Sequence, residues 1–349
     1  MRATIMNNWQ LRVDTTADPV AGSGQVLTKV LACGICGSDL HMLKHGKESL
    51  ALSETLNNWA DPSPMPITSF AADKDTIMGH EFCCEVVDVG PDCTNLRAGD
   101  IVVSMPLAFD ASGLHPVGYS NLYNGGYADM MILNDMLALK VPNGLSPRMA
   151  ALTEPLAVGV HAVAKSRITS ENSAIVIGLG PVGLAVIAEL KMKGIGPIVG
   201  ADFSPRRRQL ALHLGADVVV DPRETPAIEA WRTTGTSRER FIFEAVGVPT
   251  MIDEAMRMAP RGGHILVVGA CMQADQIHPM VAVTRELNLQ FALGYEPDEF
   301  AYSLHAIAQG DVDLSPMLTG SVGIDGVPQA FIDLGNPEQH AKILVEPQK

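Results

Sequence analysis

The chain has 349 residues, of which 47% are hydrophobic and 18% charged, and its formal net charge is −14. This length suits two domains of ordinary size, and the composition is that of a globular protein rather than of a disordered one. The acidic excess argues against nucleic acid and anionic membrane surfaces as partners, because both bind through basic patches.

The cysteine content and the N-terminus predict a cytoplasmic protein. Six cysteines are too few for a disulfide framework in a chain of this length, and an intracellular protein uses such thiols as metal ligands or packing residues. The N-terminal residues contain no apolar stretch typical of a secretory signal. The uncharged segment 173–188 is too short to span a bilayer and has three glycines in its middle, so we expect no membrane partner.

The first 150 or so residues have the pattern of a β-rich domain. Short apolar runs separated by Gly, Pro, Asn or Asp predict strands at 25–32, 83–89, 101–104, 130–133 and 136–141. Such short strands with frequent turns are typical of a partly open antiparallel barrel.

From Pro155 onwards helical patterns alternate with short, almost wholly apolar strands. The predicted strands are 174–177, 197–201, 218–220, 240–245, 264–269 and 289–293. Uninterrupted apolar strands that alternate with helices predict a doubly wound parallel sheet covered on both faces. The alternation stops after Gly294. We therefore predict a first domain of residues 1–154 and 294–349 and a nucleotide-binding domain of residues 155–293.

A glycine-rich motif follows the first strand of the predicted parallel sheet. Residues 178–183 read G-L-G-P-V-G, open a helix, and are followed nineteen residues after the last glycine by Asp202. In a strand–turn–helix context this spacing indicates a dinucleotide site. The predicted cofactor contacts are Gly178, Gly180, Pro181, Val182, Gly183, Asp202, Arg207, Val246 and Val268. A glycine-rich turn without a ligand is the alternative.

Asp202 favours NAD over NADP as the cofactor. A carboxylate at this position accepts hydrogen bonds from the ribose hydroxyls and repels a 2′-phosphate. Arg206 and Arg207 lie just beyond it and leave NADP open, because guanidinium groups pair well with phosphate.

Three clusters of candidate metal ligands lie far apart in the sequence. The first reads C-G-I-C-G-S-D-L-H over residues 33–41, the second G-H-E over 79–81, and the third E-P at 154–155. Spacing alone does not establish a metal site. Cys33 and Cys36 could instead form a redox pair, and His80 could be an ordinary buried histidine.

Together with E-P-L-A-V-G at 154–159 and the G-L-G-P-V-G motif, these clusters resemble the successive signatures of the zinc-containing medium-chain alcohol dehydrogenases, most closely the polyol branch of sorbitol, butanediol and threonine dehydrogenases. The resemblance covers nearly the whole chain. It implies a GroES-like β-barrel catalytic domain, a Rossmann domain and an active site in the cleft between them.

The resemblance also implies residue roles. Cys36, His80, Glu81 and Glu154 would form the ligand set of one catalytic zinc. Zinc would ionise the substrate alcohol, and Ser38 would accept a hydrogen bond from the zinc-bound hydroxyl. The proton would then pass through the nicotinamide ribose to His41 and out to water. Glu81 would also assist ligand exchange at the metal. The family's second, structural zinc is not expected, because residues 105–124 contain no cysteine.

Two departures from the family bear on the substrate. His41 and His80 are 39 positions apart, and the extra residues, 46–76, predict an apolar loop that is either a lid over the substrate or a surface insertion or subunit contact. The segment 293–296 carries Tyr295 but not the arginine of the polyol enzymes. Both features favour a fairly apolar secondary alcohol or ketone, with a polyol as the alternative substrate.

Two rival interpretations remain open. One is a zinc-free, NADPH-dependent reductase of the same superfamily, and the other is a dinucleotide-binding protein without catalysis. The combined ligand set and the Ser38–His41 pair argue against both. The family resemblance also implies a homo-oligomer paired through the nucleotide domains, for which we favour a tetramer over a dimer.

Overall fold

The computed structural model describes residues 1–57 and 70–349. The chain forms two compact units. The first consists of Met1–Glu154, Leu318–Asn336 and Lys342–Lys349, and the second of Pro155–Met317 and Pro337–Ala341.

Strands and helices are numbered separately, each in chain order. The strands are β1 (Arg2–Asn7), β2 (Gln10–Thr15), β3 (Gln25–Gly34), β4 (Glu81–Val89), β5 (Ile101–Ser104), β6 (Leu107–Asp110), β7 (Gly113–Pro116), β8 (Met130–Asn134), β9 (Ala138–Lys140), β10 (Ser173–Ile177), β11 (Ile198–Ala201), β12 (Val218–Val220), β13 (Arg240–Glu244), β14 (His264–Val267), β15 (Asn288–Phe291), β16 (Leu318–Val322) and β17 (Lys342–Val345). The helices are α1 (Gly37–Asn57), α2 (Pro147–Ala150), α3 (Thr153–Ser166), α4 (Pro181–Met192), α5 (Pro205–His213), α6 (Ala227–Thr233), α7 (Met251–Met258), α8 (Pro279–Arg285), α9 (Pro297–Gln309) and α10 (Val327–Asp333).

The first unit is built on a sheet of seven strands in the order β16-β17-β3-β4-β5-β9, with β8 also paired to β3. All neighbours are antiparallel except β16 and β17, which are parallel. The five strands predicted for this unit are confirmed as β3, β4, β5, β8 and β9. The inward side chains of β3, β4 and β8 form its core, which includes Val30, Cys84 and Met131.

Helix α1 contradicts part of the predicted loop at 46–76. Residues 46–57 are helical because Lys, Glu, Leu and Ala are strong helix formers, and the helix bends at His45 (φ −125°, ψ 21°). Phe70 packs edge to face on Trp9, with ring centroids 5.9 Å apart. Both side chains pack against the hydrophobic core of the first unit. The central part of the predicted lid, with Trp59, Met65 and Ile67, lies outside the described residues.

The second unit is a six-stranded parallel sheet in the order β12-β11-β10-β13-β14-β15. All six predicted strands are confirmed, and their order across the sheet from edge to edge, 3-2-1-4-5-6, is that of the dinucleotide-binding doubly wound fold. The order reverses beside β10, and ligands of such sheets bind where the order reverses. The glycine-rich motif follows β10 directly.

Residues 294–317 pack in the second unit, whereas the sequence pattern assigned them to the first domain. Helix α9 holds this segment there. The Glu299 carboxylate lies 2.8 Å from Nδ1 of His161 on α3, and the Tyr302 hydroxyl donates to Glu189 on α4 at 3.3 Å. Phe300 and Leu304 are buried. The chain therefore returns to the first unit at Leu318 rather than after Gly294.

No helix in the described parts of the chain combines the length and the apolar character needed to cross a lipid bilayer.

Candidate active site

Three groups suited to binding a metal ion converge in the first unit. Ligand atoms of Cys36, His80 and Glu81 all lie within 4.8 Å of one another, and they form the only group of three or more His, Cys, Asp or Glu side chains of this kind within residues 1–57 and 70–349. His80 and Glu81 are buried, and Cys36 is partly buried. A thiolate, an imidazole and a carboxylate are the ligand types that zinc binds in catalytic sites.

Strand pairing brings these distant sequence clusters together. Strands β3 and β4 are antiparallel, and Gly34 at the end of β3 pairs with Glu81 at the start of β4. Cys36, two residues after β3, therefore meets His80, which immediately precedes β4. A Cβ at position 34 would lie 1.9 Å from Glu81 Oε2, so the carboxylate occupies space that only a glycine leaves open.

The His80 imidazole is oriented by a buried carboxylate. Its Nδ1 lies 3.4 Å from Asp39 Oδ1, which leaves Nε2 as the nitrogen available to a metal. Asp39 is fully buried, and burial alone would raise its pKa. The His80 charge and hydrogen bonds from Tyr127 and Tyr119 outweigh burial and lower the pKa of this carboxyl. Asp39 therefore stays ionised and acts as an acceptor.

Glu81 forms a fully buried ion pair with Lys342 on β17. The Lys342 ammonium donates to both carboxylate oxygens, at 2.6 and 2.7 Å, and also to the carbonyl of Ile35 at 3.1 Å. Desolvation would lower the pKa of Lys342, but the charges of Glu81 and Cys36 outweigh it and raise the pKa. The lysine therefore remains charged in the core.

Glu154 lies at the start of α3, where it is buried. Its carboxylate is not part of the group of ligand atoms that lie within 4.8 Å of one another. It is near enough to Lys342 for its charge to raise the pKa of that lysine. The predicted role of Glu154 as a zinc ligand therefore stays a prediction.

Ser38 and His41 lie on successive turns at the start of α1. The Ser38 hydroxyl is 3.4 Å from His80 Nε2, so it stands beside the candidate metal position. His41 is exposed. Partial burial of its ring, together with the charges of His45 and Lys44, lowers the pKa of His41. At neutral pH its imidazole is therefore ready to accept a proton.

The glycine-rich motif has the geometry of a phosphate-binding turn. Gly178 has φ +87°, and a Cβ there would lie 2.7 Å from Val246 Cγ2. A Cβ on Gly183 would lie 1.9 Å from the Gly178 carbonyl oxygen. Gly180 caps α4, whose first residues are Pro181 and Val182, and no atom lies within 4 Å of the place where its Cβ would be. The N-terminus of α4 is therefore open to an anion.

Asp202 follows β11 and is tied to the glycine-rich motif. Its Oδ2 accepts from the Leu179 N–H and its Oδ1 from the Ser204 N–H, both at 2.8 Å. Arg207 Nη1 lies 3.7 Å from the same carboxylate. The predicted ribose-binding residue and its basic neighbour are thus brought together beside the motif.

The loops after β13 and β14 in the second unit carry the remaining predicted cofactor contacts, Val246 and Val268. Val246, 38% exposed, lies against Gly178, and Val268 follows β14 and donates its N–H to the Glu244 carbonyl at 2.8 Å. The Glu244 side chain accepts from the N–H groups of Val246 and Gly247, at 2.7 and 2.9 Å. Glu244 shapes this loop, and burial raises the pKa of its carboxyl.

Four residues of these sites were not predicted from the sequence, namely Asp39, Tyr119, Glu244 and Lys342. Two of them could have been noticed in the sequence, because Lys342 begins the otherwise apolar strand β17 and Glu244 directly follows the apolar run Phe-Ile-Phe of β13. The redox alternative for Cys33 and Cys36 is not supported. Both thiols are free, and burial raises the pKa of Cys33 well above its usual range.

Comparisons with known proteins give two matching families. Residues 181–309 match the family of zinc-binding dehydrogenases, and residues 22–143 match the alcohol dehydrogenase GroES-like domain. The chain is 32% identical to (R,R)-butanediol dehydrogenase of Bacillus subtilis (strain 168), over 98% of each chain. It is 26% identical to sorbitol dehydrogenase of the same organism, over 95% of this chain and 92% of the relative.

A solved structure agrees with these relatives. The crystal structure of 2R,3R-butanediol dehydrogenase from Bacillus subtilis superposes with a TM-score of 0.82 and 30% identity, covering 99% of both chains. The chain therefore belongs to the zinc-containing medium-chain alcohol dehydrogenases, a family of NAD(P)-dependent oxidoreductases that act on CH–OH groups, near the polyol dehydrogenase branch.

Proposed function

We propose that this enzyme transfers hydride between NAD(H) and a secondary alcohol or ketone, with one zinc ion bound by Cys36, His80 and Glu81. The observation that carries the proposal is the convergence of a sulfur, an imidazole nitrogen and a carboxylate oxygen within 4.8 Å. Glu154, whose charge acts on Lys342 beside Glu81, is the second proposed carboxylate ligand, together with Glu81 or in its place. One position would be left to water or substrate, as in catalytic zinc sites generally.

The ion pair between Glu81 and Lys342 is compatible with metal binding. A carboxylate has about four lone-pair positions on its two oxygens, so an oxygen that accepts from Lys342 retains a lone pair for a metal ion. The ammonium fixes the carboxylate in place against Gly34, which preorganises the ligand.

Zinc supplies Lewis acidity, which lowers the pKa of coordinated water from ~16 to ~7, and a similar effect on an alcohol would favour its ionised form by about 12 kcal/mol. The remaining task of the protein is to transfer the proton of the substrate hydroxyl to solvent. Ser38 lies beside His80 Nε2, where it can accept a hydrogen bond from the substrate hydroxyl. As Ser38 takes the substrate proton it gives up its own proton, which the exposed His41 passes to solvent. In the ketone direction the same two groups return it.

The low pKa of His41 gives a pH prediction. Replacement of His45 by glutamine is expected to shift the acidic limb of the kcat/KM profile for alcohol oxidation to higher pH by a few tenths of a unit. His45 lowers the pKa of His41, so its removal raises that pKa, and less of the neutral acceptor remains at a given acidic pH. His213→Gln, in the second unit, is the control and should leave the profile in place. An unchanged limb in His45→Gln would show that His41 does not set it.

NAD is the proposed cofactor. The Asp202 carboxylate is held by the backbone N–H groups of Leu179 and Ser204, at a place where it can accept from ribose hydroxyls and where a 2′-phosphate would meet its charge. Arg207, 3.7 Å away, is then a partner for the carboxylate rather than for a phosphate.

Replacement of Asp202 by serine is expected to lower the preference for NAD over NADP, measured as the ratio of kcat/KM values, by roughly one to two orders of magnitude. The charge that repels the 2′-phosphate is lost while Arg207 remains to bind it. The matched control is Asp217→Ser, because Asp217 accepts from the Ile198 N–H at 2.7 Å at the opposite end of β11. Equal ratios in Asp202→Ser and the unchanged enzyme would rule out this role.

The proposed substrate is a fairly apolar secondary alcohol or ketone. The segment 293–296 provides Tyr295, which stacks on Phe300, and contains no arginine for sugar hydroxyls. The relatives named for butanediol and sorbitol make a polyol the second candidate. Comparing kcat/KM for cyclohexanol, 2,3-butanediol and sorbitol decides between them, and a preference for sorbitol would contradict the apolar substrate.

We also propose a cytoplasmic homo-oligomer, a tetramer rather than a dimer. Strand β15 ends the parallel sheet, and the apolar side chains near it are exposed: Met280 (67%), Val283 (65%), Phe291 (58%) and Leu293 (77%). An apolar sheet edge of this kind favours pairing with a second copy. All six cysteines are free, which suits a reducing compartment. Light scattering coupled to size-exclusion chromatography measures the subunit number.

A further inference from the structure

Tyr119 contacts three groups of the candidate zinc site, although no motif marks it. Its hydroxyl lies 2.8 Å from Asp39 Oδ1 and 3.1 Å from Ser38 Oγ. Its ring is tilted by 41° against the His80 imidazole, with the ring centroids 5.4 Å apart. Tyr119 belongs to the stretch 105–124 and follows β7, so it reaches the site from outside the ligand-bearing strands.

The number of protons that Tyr119, Ser38 and Asp39 carry decides which of them donates in each hydrogen bond. Tyr119 has one hydroxyl proton, and the Asp39 carboxylate has none to give. Asp39 also accepts the Tyr127 hydroxyl at 2.6 Å and the Cys36 N–H at 3.0 Å. The shorter, charge-assisted bond to Asp39 takes the Tyr119 proton, which leaves the Tyr119 oxygen to accept the proton of Ser38.

We propose that Tyr119 is a positioning residue that holds the Ser38 hydroxyl as a hydrogen-bond acceptor for the hydroxyl of the substrate. With its own proton directed to Tyr119, Ser38 keeps its lone pairs free beside His80 Nε2, where the substrate oxygen is to be bound. The inference deepens the proposed function and depends on it, because it needs a metal-bound substrate at that place.

Tyr119 does not itself transfer the substrate proton to solvent. The hydrogen-bonded chain from Ser38 through Tyr119 ends at Asp39, which is fully buried and is enclosed by Tyr127 and the Cys36 backbone. Asp39 already accepts from its neighbours and offers no onward step for a proton. When Ser38 takes the substrate proton, its own proton leaves towards the exposed His41, and Tyr119 acts only through the orientation of Ser38 before that transfer.

Tyr127 is the matched control for this proposal. Its hydroxyl donates to the same Asp39 carboxylate, but its other neighbour within hydrogen-bonding distance is the Gly34 carbonyl at 3.4 Å rather than Ser38. Tyr127→Phe and Tyr119→Phe thus remove the same kind of donor from one acceptor. Only Tyr119→Phe also removes the hydroxyl oxygen that accepts the hydrogen bond of Ser38.

The experiment is a double-mutant cycle on the zinc-loaded enzyme, together with the zinc dissociation constant of each apoprotein from competition with a chromophoric chelator. Tyr119→Phe is expected to lower kcat for a secondary alcohol about tenfold, the effect of one good hydrogen bond in the transition state. In a Ser38→Ala background it should lower kcat less than twofold. Tyr127→Phe should have the same relative effect in both backgrounds, and the zinc affinity of Tyr119→Phe should stay within about threefold of that of the unchanged protein.

Three results would overturn the assignment of Tyr119. They are an unchanged kcat in Tyr119→Phe, an equal loss with and without Ser38, or a loss that follows a tenfold or larger weakening of zinc binding. These results leave the proposed function standing, provided that the unchanged enzyme holds zinc and oxidises secondary alcohols. An unchanged enzyme without zinc and without that activity would overturn both the proposed function and the role of Tyr119.

Discussion

Replacement of Lys342 by methionine is expected to lower the free energy of unfolding of the first unit by about 3–5 kcal/mol, the usual effect of removing one partner of a buried ion pair. Lys342 and Glu81 have no exposed side-chain surface, and both carboxylate oxygens accept from the ammonium. Methionine fills a similar volume but leaves the Glu81 charge, and the carbonyl of Ile35, without the donor.

The loss should be larger in the metal-free protein than in the zinc-loaded one, because a bound dication supplies Glu81 with a second counter-charge. The double variant Lys342→Met, Glu81→Gln should recover much of the loss, since it removes the buried charge. The raised pKa of Lys342 means that the ion pair is intact at neutral pH and weakens only as the pH rises through that pKa.

Hydrogen exchange of peptides from β3 and β17, followed across a urea series, measures this stability within the first unit. Lys140→Met is the matched control, because Lys140 pairs with Asp100 at 2.8 Å but is half exposed. Exposed pairs contribute about 0–1 kcal/mol. A Lys342→Met protein as stable as Lys140→Met would contradict the buried pair.

Replacement of His80 by alanine is expected to abolish stoichiometric zinc binding and to lower kcat/KM for alcohol oxidation by at least about four orders of magnitude. Without the imidazole only Cys36 and Glu81 remain of the three converging ligands, and ionisation of the alcohol loses most of the roughly 12 kcal/mol that zinc supplies. Steady-state kinetics and metal analysis of the same preparation measure both effects.

His115→Ala is the control for His80→Ala. His115 is as buried as His80 and lies in the same unit, but its Nε2 lies near Ser112 and Asp110, at 2.9 and 3.4 Å, away from the three converging ligands. Its replacement should cost stability and leave the zinc content unchanged. Retained zinc and activity in His80→Ala would show that the metal ligands are assigned wrongly.

The parallel sheet could be predicted from the sequence because burial on both faces leaves a strong pattern. Strands β10 to β15 are short apolar runs separated by helical periodicity, and the glycine-rich motif marks the first of them. The β1–β2 hairpin was missed because its turn residues, Asn8 and Trp9, adopt positive φ (48° and 64°) without the glycine that usually signals such a turn.

The boundary at 294 was misplaced for a related reason. A strand–helix pattern that stops does not say on which unit the next helix packs. Helix α9 is attached to the second unit by Glu299 and Tyr302, whose partners on α3 and α4 lie more than a hundred residues away in the sequence. Contacts between residues so far apart in the sequence leave no local sequence pattern from which they could be predicted.

The ligand types of the candidate site were visible in the sequence, but their convergence was not. Cys36 and His80 meet because β3 and β4 are antiparallel and paired at Gly34 and Glu81, and that register cannot be read from spacing. The groups that support the ligands were missed. Lys342 comes from the C-terminal strand and Tyr119 from a stretch notable only for its lack of cysteine.

The most direct test of the account is the zinc content per chain of freshly purified protein, measured by plasma mass spectrometry beside Cys36→Ser. We expect one zinc per chain in the unchanged protein and none in the variant, with alcohol oxidation lost in parallel. An unchanged protein without zinc that still oxidises alcohols, or a Cys36→Ser protein that keeps its zinc, would contradict the proposed site.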